Sequence, residues 1–364
     1  MRRATLGPLL LLALAVVSPR ANAEQEKKPT PLRRGLAAGA AVVPGFLVHG
    51  TGQWVLGRPK TALRLLASEG VGFGLVALGG IPIVVTGASR KLVGPAAAVA
   101  ISGFGLIFLG TLAELYGTTG LDEDGGHAQR RTVWLESELG YRYLYDPAFR
   151  YRSFAVERLL FRVGPWKLEP SLAGALDDTV SRARILTGWR FFGPMPRPRP
   201  EVKDGSLMEV ELAGTRSVYS RYGFDKWTGE VALGGRYDLE RFDPVLRGSF
   251  VDGALGWGRE WVRFEPSGTP ASTNATDLLL ARFGFGIYLG QVPRNGEVRL
   301  FYDHRHDDFA AGLAAGGIGS GVVGHVGLEA WHYFDPSWGI RCEAQVGSAY
   351  LLGLSALYRP GGEI

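Results

Sequence analysis

The stretch TVWLESELGYRYLYD, residues 132–146, decides the fold because its side chains alternate between two chemistries. Its odd-numbered positions are mostly apolar or aromatic, and most of its even-numbered positions are charged or small. One face comprises Val133, Leu135, Leu139, Tyr141, Tyr143 and Tyr145, and the other comprises Glu136, Glu138, Gly140 and Arg142. Successive side chains of a β-strand point to opposite sides, so this period of two predicts a strand with one apolar face and one polar face.

The same alternation recurs along the chain, for example in WKLEPSLAGAL (166–176), SRARILTGWRF (181–191) and KWTGEVALGGRYDLE (226–240). A soluble β-sandwich with one hydrated face would also alternate in this way. The aromatic rings favour a barrel in a membrane, because they gather on both sides of the Asp146-Pro147 turn, as interfacial girdles do. These rings are Tyr141, Tyr143, Tyr145, Phe149 and Tyr151.

Eleven such segments follow residue 131, and the last of them, residues 337–358, is too long for one ordinary membrane strand. Dividing it near Gly347-Ser348 gives twelve strands, an even number that returns both ends of the barrel to the same side. Side-chain parity, however, runs unbroken from Trp338 to Tyr358, and a two-residue turn would shift it. We therefore predict an antiparallel transmembrane β-barrel of twelve strands over residues 131–360, with ten strands or one long final strand as alternatives.

The N-terminus predicts export. Arg2 and Arg3 precede an apolar run from Leu9 to Val17, and Ala21-Asn22-Ala23 forms a small-residue cleavage site, so residues 1–23 are predicted to be a signal peptide. A membrane anchor would need about 20 apolar residues, and Pro19 and Arg20 interrupt the run before that length. Cys342 is the only cysteine, so an intramolecular disulfide is excluded.

Residues 31–118 are rich in Gly, Ala, Leu and Val and predict an apolar helical hairpin, followed by a linker at 119–130. Two long segments, 60–80 and 94–115, are separated by Ser89-Arg90-Lys91, and each is long enough to span a bilayer. We expect Pro82 to kink or end the first helix. Small residues recur four apart and predict the faces on which the helices pack, namely Gly70 and Gly74 in one helix and Gly94, Ala98 and Ser102 in the other.

The stretch VPGFLVHGTGQWVLGRPKTA, residues 43–62, precedes the hairpin and contains several turn-forming residues. It predicts a loop that brings Trp54 to an interface. His49 has no second metal ligand nearby in sequence, so we expect it to be a hydrogen-bonded structural histidine.

A signal peptide, period-two segments and the ending EAQVGSAYLLGLSALYR (343–359) together resemble bacterial outer-membrane β-barrel proteins over residues 132–359. The PGFLVHGTGQW stretch with its helical pair resembles segments that precede barrels in uncharacterised envelope proteins of Gram-negative bacteria. The resemblance implies residence in the outer membrane, with membrane lipid, lipopolysaccharide and the barrel-assembly machinery as partners. It implies no particular activity and leaves the oligomeric state open.

In such a barrel the polar strand faces would line the lumen. The candidate lumen-lining residues are Glu136, Glu138, Arg182, Arg184, Arg190, Glu230, Arg236, Asp303 and Arg305. This set is mixed and mildly basic, which predicts a small conductance with a weak preference for anions.

The densest cluster of titratable residues is VRLFYDHRHDD, residues 298–308. Alternation places His304 and His306 on the lipid-facing side at the outer rim, with Asp303 and Arg305 toward the lumen. The histidines are candidates for catalysis or for zinc, and they faintly resemble the rim histidine of lipid A deacylase barrels. Those enzymes follow the histidine with serine, whereas Arg305 follows His304, and two histidines without a third ligand fall short of a zinc site. We therefore predict no catalytic residue, no metal and no cofactor.

The formal charge of +5 is modest and its basic residues are dispersed, which argues against nucleic-acid binding. The leading hypothesis is a non-enzymatic outer-membrane barrel that serves as a narrow pore or has a structural role. One alternative is a barrel enzyme that modifies lipid A or lipopolysaccharide. Another is an inner-membrane helical protein with a periplasmic β domain.

Overall fold

The structure, a computed structural model, describes residues 29–87, 92–119, 133–146, 150, 152–193, 205–264, 272–289, 296–304, 313–314, 322–347 and 349–360. The predicted signal peptide and nearly all of the predicted linker lie outside the described residues. The chain divides into two compact units. The first comprises Met1–Gly125 with Tyr237–Val251, and the second comprises Gly126–Arg236 with Asp252–Ile364.

The described residues of the first unit form four α-helices. They are α1 (Pro31–Val42), α2 (Thr51–Leu56), α3 (Pro59–Val85) and α4 (Val93–Thr119). Thr30 caps α1 by accepting a hydrogen bond from the backbone N–H of Arg33 at 3.4 Å. Pro82 stands three residues before the end of α3, so this helix ends near its proline as expected. The predicted loop at 43–62 is wrong in part, because α2 forms inside it.

The long helices α3 and α4 pack through glycines other than the predicted ones. A Cβ atom on Gly103 would lie 2.5 Å from the carbonyl oxygen of Gly72, so the two backbones are in direct contact there. Gly70, Gly74 and Gly94 face open space, so the predicted packing faces are wrong at these positions. Residues two apart differ by about 200° around a helix. Small residues therefore line more than one side of α3, and the spacing alone did not select the side that packs.

Residues 237–251, which comprise the connection between two barrel strands and the adjoining strand ends, belong to the helical unit. Asp243 accepts hydrogen bonds from the hydroxyl of Thr61 at 2.9 Å and from Arg64 at 3.0 Å. The Tyr116 hydroxyl donates to the carbonyl oxygen of Arg247 at 2.6 Å. These contacts tie the connection to the near ends of α3 and α4.

Twelve antiparallel strands close into a barrel, which confirms the predicted fold and strand number. The barrel strands are β1 (Leu135–Tyr145), β2 (Ser153–Val163), β3 (Trp166–Ala175), β4 (Val180–Phe192), β5 (Leu207–Tyr219), β6 (Phe224–Asp238), β7 (Ser249–Phe264), β8 (Ser272–Leu289), β9 (Gly296–Asp303), β12 (His325–Tyr333), β13 (Trp338–Val346) and β14 (Tyr350–Tyr358). Each strand pairs with its neighbours in sequence, β9 pairs with β12, and β1 pairs with β14. The short strands β10 (Leu313–Ala314) and β11 (Val322–Val323) pair in the connection between β9 and β12.

The turn between the last two strands explains the unbroken parity of the sequence. Val346 pairs directly with Tyr350, so three residues connect β13 to β14. An odd number of connecting residues keeps even-numbered side chains on the same face in both strands. The alternatives of ten strands and of one long final strand are therefore excluded.

The outer face of the barrel is apolar, and aromatic rings mark both of its ends. Trp338 and Tyr358 lie with ring centroids 4.8 Å apart at the end where the chain enters and leaves the barrel. Tyr145 and Tyr350 pair at the opposite end, at 6.3 Å. Exposed aliphatic side chains lie between the two ends, among them Leu139, Leu172, Ile185, Leu212 and Leu354. A closed sheet with this outer surface has the architecture of a transmembrane β-barrel.

Candidate functional site: the barrel interior

Ion pairs line the inside of the barrel. The even-numbered positions of β1 and β2 point inward and place Arg158 against two carboxylates of the neighbouring strand. Its Nε atom lies 2.8 Å from Glu138 Oε2, and its Nη2 atom lies 3.5 Å from Glu136 Oε1. Both glutamates were predicted to line the lumen, and the structure brings them together on one arginine.

Arg341 on β13 makes ion pairs with residues of two other strands, one of which is not its neighbour. Its Nη1 atom lies 2.8 Å from Glu138 Oε2 on β1, although β14 separates the two strands. Its Nη2 atom lies 3.1 Å from Glu329 Oε1 on β12. Arg341 also contacts Glu343, which pairs in turn with Arg142.

Arg299 and Arg236 extend the same network to β6. Arg299 lies 2.9 Å from Glu329 and 3.0 Å from Asp252. Arg236 lies 3.6 Å from Asp252 and makes two hydrogen bonds to Glu297, of 2.7 Å and 3.1 Å. Asp252 thus joins the two arginines.

Three contacts between described residues reach across the interior, and one of them joins Arg162 on β2 to Glu209 on β5 at 3.7 Å. Arg236 on β6 and Glu297 on β9 lie three strands apart, and so do Tyr333 on β12 and Glu136 on β1. The Tyr333 hydroxyl donates to Glu136 Oε2 at 2.9 Å. Three strands of twelve are a quarter of the circumference, so these pairs form chords through the space that a lumen would occupy.

A second charged cluster lies on β2 to β5. Lys167 Nζ contacts both Glu209, at 2.6 Å, and Glu211. Arg190 also binds Glu209, at 3.2 Å. A Cβ atom on Gly188 would lie 2.9 Å from Lys167 Cε, so this glycine leaves room for the lysine to lie along the wall. A separate pair joins Arg184 to Glu230 at 2.7 Å.

Apolar side chains fill part of the interior at the end opposite the chain termini. They come from five strands and are buried together with an alanine of the last turn. The cluster consists of Leu144, Phe154, Val156, Val180, Tyr219, Ala349 and Leu351. The described interior is thus apolar at the end opposite the chain termini, and ion pairs line it farther from that end.

The predicted lumen-lining residues are distributed as follows. Six of them lie in interior ion pairs, namely Glu136, Glu138, Arg184, Arg190, Glu230 and Arg236. Arg182 is half-buried on the same face of β4, and Asp303, 7% exposed, is the last residue of β9. Arg305 lies outside the described residues.

Sequence reasoning did not select most of the residues in the described interior ion pairs. Among those it did not select are Arg142, Arg158, Arg162, Lys167, Glu169, Glu209, Glu211, Asp252, Glu297, Arg299, Glu329, Arg341 and Glu343. Strand parity could have found most of them. In the network that runs from Arg142 to Arg236, the described ion pairs join five arginines to seven carboxylates, and Arg282 also acts on Asp252, so acidic and basic groups are close to balanced there.

His304 follows β9 directly, and its ring lies beside Tyr302. The Tyr302 hydroxyl lies 2.9 Å from His304 Nδ1 and accepts a hydrogen bond from the backbone N–H of Gly324 at 3.2 Å. Burial lowers the pKa of His304, and Asp303 opposes this effect. His306 lies outside the described residues. Among the described residues no group of three or more His, Cys, Asp or Glu could hold a metal ion.

The helical unit contains a buried polar core that the sequence did not predict. Glu114 of α4 accepts hydrogen bonds from the backbone N–H groups of Gly50 and Gly52, each at 2.7 Å. The carboxylate therefore caps the N-terminus of α2, where free N–H groups favour negative charge. Gly50 has φ of 95°, and a Cβ atom there would lie 2.5 Å from the carbonyl oxygen of Ala62, so glycine is required.

His49 is fully buried in the same core. Its backbone N–H donates to Glu69 Oε2 at 2.9 Å, and its Nε2 atom lies 2.7 Å from Thr111 Oγ1. The Thr111 hydroxyl also lies 3.2 Å from the carbonyl oxygen of Ile107, so it joins the His49 ring to the backbone of α4. His49 Nδ1 has no hydrogen-bond partner. Burial lowers the pKa of His49, and Glu69 opposes this effect.

No protein-family model matches the sequence. No curated protein matches it either. Solved structures with a similar fold include the KdgM porin in complex with disordered oligogalacturonate, with 8% identity and a TM-score of 0.34, covering 62% of this chain and 99% of that one. The outer membrane protein Omp33 of Acinetobacter baumannii has 10% identity and a TM-score of 0.32, with coverage of 64% and 100%. The translocator domain of autotransporter NalP from Neisseria meningitidis has 10% identity and a TM-score of 0.35, with coverage of 67% and 92%. At this level of similarity they carry no information about function.

Proposed function

We propose that this chain is a non-enzymatic outer-membrane β-barrel whose interior is filled by paired charges and admits at most small ions. The apolar outer face and the aromatic rings at both ends would contact outer-membrane lipid and lipopolysaccharide. The interior would limit passage and brace the wall. Insertion by the barrel-assembly machinery belongs to the same proposal.

The observation that carries the proposal is the interior network. Its members are held in place by two or more partners each, as Arg341 is by Glu138 and Glu329. Moving one side chain out of this network would leave the charge of its partner unpaired in a confined space, at a cost of about 3–5 kcal/mol. The network therefore favours a fixed interior over one that opens readily for a large solute.

The charge balance sets the expected selectivity. Acidic and basic groups alternate along the network, so neither sign of mobile ion is strongly favoured. A small conductance with weak selectivity would follow. This revises the anion preference that the sequence alone suggested.

Solute passage tests the proposal. We expect proteoliposomes that contain the wild-type protein to exclude monosaccharides in a swelling assay and to show only small current steps in a planar bilayer. The variant R236S/R299S/R341S, if it still inserts as a barrel, should show larger steps because three arginine side chains that occupy the interior are gone. Rapid entry of a trisaccharide into wild-type proteoliposomes would contradict a filled interior.

An enzyme that modifies lipid A is the second candidate, and the contact between Tyr302 and His304 favours it. A neutral histidine that faces a hydroxyl group at the rim could act as a general base. The Tyr302 hydroxyl, however, also accepts a hydrogen bond from the backbone N–H of Gly324, which immediately precedes β12. Tyr302 therefore has a structural role, because it holds the start of β12 against the end of β9. We therefore prefer the non-enzymatic function.

The third hypothesis, a periplasmic β domain, does not account for the outer surface. A water-soluble barrel would expose polar groups on its outer face. Leu139, Ile185 and Leu354 instead lie exposed there, while the charges point inward. This distribution is that of a barrel in lipid.

A further inference from the structure

The helical unit exposes an apolar surface of its own. Leu78 on α3 is 64% exposed, and large apolar side chains around it are exposed as well. The exposed set on α3 and α4 includes Leu63, Val71, Phe73, Ile81, Val84, Val85 and Phe104. Contiguous apolar surface of this extent is rare on soluble proteins and marks a binding surface.

The length of this surface matches a bilayer. Residues 93–113 of α4 carry no Asp, Glu, Lys or Arg, and at 1.5 Å per residue they extend about 30 Å, the thickness of a hydrocarbon core. Residues 65–85 of α3 carry only Glu69, which is buried. By length and composition both helices could cross a membrane.

The contact between α3 and α4 is also of the kind that membrane helices use. Lipid supplies no hydrophobic force to hold two helices together, so membrane helices rely on small residues that let their backbones touch. Gly72 and Gly103 provide such a contact, and Gly79 packs against the backbone of Ala96. The large side chains are left to point outward.

The distribution of charged residues in the helical unit also favours contact with a membrane. Within residues 31–119 the only acidic residues are Glu69 and Glu114, and both are buried. Basic residues lie near the start of the apolar stretch, namely Arg33, Arg34, Arg58 and Lys60. Arg64 pairs instead with Asp243, at 3.0 Å. The described surface of this stretch of chain is therefore apolar along its length and cationic near the start of α3.

We propose that the outer surface of α3 and α4 is a lipid-binding surface that inserts into a bilayer with anionic headgroups. Apolar side chains would contact the hydrocarbon, and the basic residues near the start of α3 would contact phosphate groups at one boundary. Burial of Glu69 and Glu114 keeps the remaining ionisable groups away from lipid. The chain would then have two different membrane-facing surfaces, one of strands and one of helices.

Collision measurements on nitroxide-labelled protein test this directly. The full-length C342A protein would be labelled at one introduced cysteine and reconstituted into vesicles of phosphatidylethanolamine and phosphatidylglycerol. The labelled variants are L78C for the proposed surface, K60C for its boundary, L354C for the outer face of the barrel and T179C for an exposed turn. Oxygen concentrates in hydrocarbon, whereas a nickel chelate stays in water.

We expect the oxygen-to-nickel collision ratio at position 78 to approach that at 354 and to exceed those at 60 and 179. A ratio at 78 equal to that at 179 would overturn the proposal, because the surface would then lie in water. Weak collision with both reagents at 78 would also overturn it, because protein would cover the surface. If 354 alone proved to be in water, the proposed function of the barrel would fail while the lipid contact of the helices stood.

Discussion

Arg236 and Glu297 face each other across a quarter of the barrel, with two guanidinium nitrogens 2.7 Å and 3.1 Å from the carboxylate oxygens. This two-pronged contact fixes the arginine in a plane and joins β6 to β9 without passing through the two strands between them. The interior charges thus hold the barrel together in a second way, in addition to the hydrogen bonds between neighbouring strands.

Removing one partner of this pair should therefore weaken the barrel. We expect E297A to lower the free energy of unfolding by about 3 kcal/mol, because Arg236 is left charged and buried. Urea titration in lipid vesicles, followed by gel mobility without boiling, measures this. The control is D225A, which breaks a pair at 4.0 Å with the exposed Arg216 and should cost less than about 1 kcal/mol. Equal losses of unfolding free energy in the two variants would contradict a larger contribution from the interior pair.

Two glycines of the long helices allow a matched pair of substitutions, one inside the contact between α3 and α4 and one outside it. Gly103→Ala should destabilise the packing of α3 on α4 by about 1–3 kcal/mol, because the new Cβ would meet the carbonyl oxygen of Gly72. Gly74→Ala enters open space and should be neutral or stabilise α3 by up to about 1 kcal/mol. Hydrogen exchange of the amides of α3 and α4 reports both changes. Loosening by Gly74→Ala instead would restore the packing face predicted from the sequence.

The cap that Glu114 provides should be sensitive to its charge and its length. Glu114→Ala leaves the buried N–H groups of Gly50 and Gly52 without an acceptor, at a cost of about 1–3 kcal/mol for each group. We expect faster exchange of these amides and faster proteolysis within residues 43–58. Glu114→Gln keeps one acceptor oxygen and should have a smaller effect. Unchanged protection in Glu114→Ala would show that other groups cap α2.

His49 should make the helical unit sensitive to acid. Its pKa is lowered in the folded state, so folding favours the neutral ring. The resulting stability is complete above the ordinary histidine pKa of about 6.5 and is lost as pH falls through the folded value. Amide protection of α2 should therefore decrease between neutral and mildly acidic pH in wild type. His49→Asn should remove this dependence and His332→Asn, a change on the exposed face of β12, should not. Identical pH profiles in all three proteins would contradict the assignment.

The histidines at the rim distinguish a structural barrel from an enzyme. If His304 only binds Tyr302, the variant H304N/H306N should leave the lipid A mass spectrum unchanged and the barrel folded. The spectrum of cells that express wild type or the variant gives the answer. A reproducible change in acyl chains or phosphate groups in the double variant would favour the lipid A enzyme.

The barrel could be predicted from the sequence because the alternation of apolar and polar residues within each strand identifies its two faces. The alternation in β1, for example, needs no knowledge of the strand it pairs with. In β7 the inward positions after Asp252 are Ala254, Gly256 and Gly258, so alternation in polarity is weak there and Asp252 was not recognised as an interior charge. Ion pairs such as Arg341 with Glu138 depend on closure of the barrel, which no local pattern contains.

The helical unit was harder to predict for a related reason. Its composition indicated two long apolar helices, and the structure contains them. The short helix α2 depends on Glu114, a residue about 60 positions away in sequence. Contacts of this kind follow from tertiary packing, so the surrounding glycines and prolines suggested only a loop.

Cell fractionation combined with gel mobility tests the central claim, that this chain is an outer-membrane β-barrel. The protein expressed in a Gram-negative host should be recovered in the outer-membrane fraction and should migrate faster in an unboiled sample than in a boiled one, because a closed barrel resists detergent until it is heated. Recovery in the inner membrane, with the same mobility before and after boiling, would contradict the account.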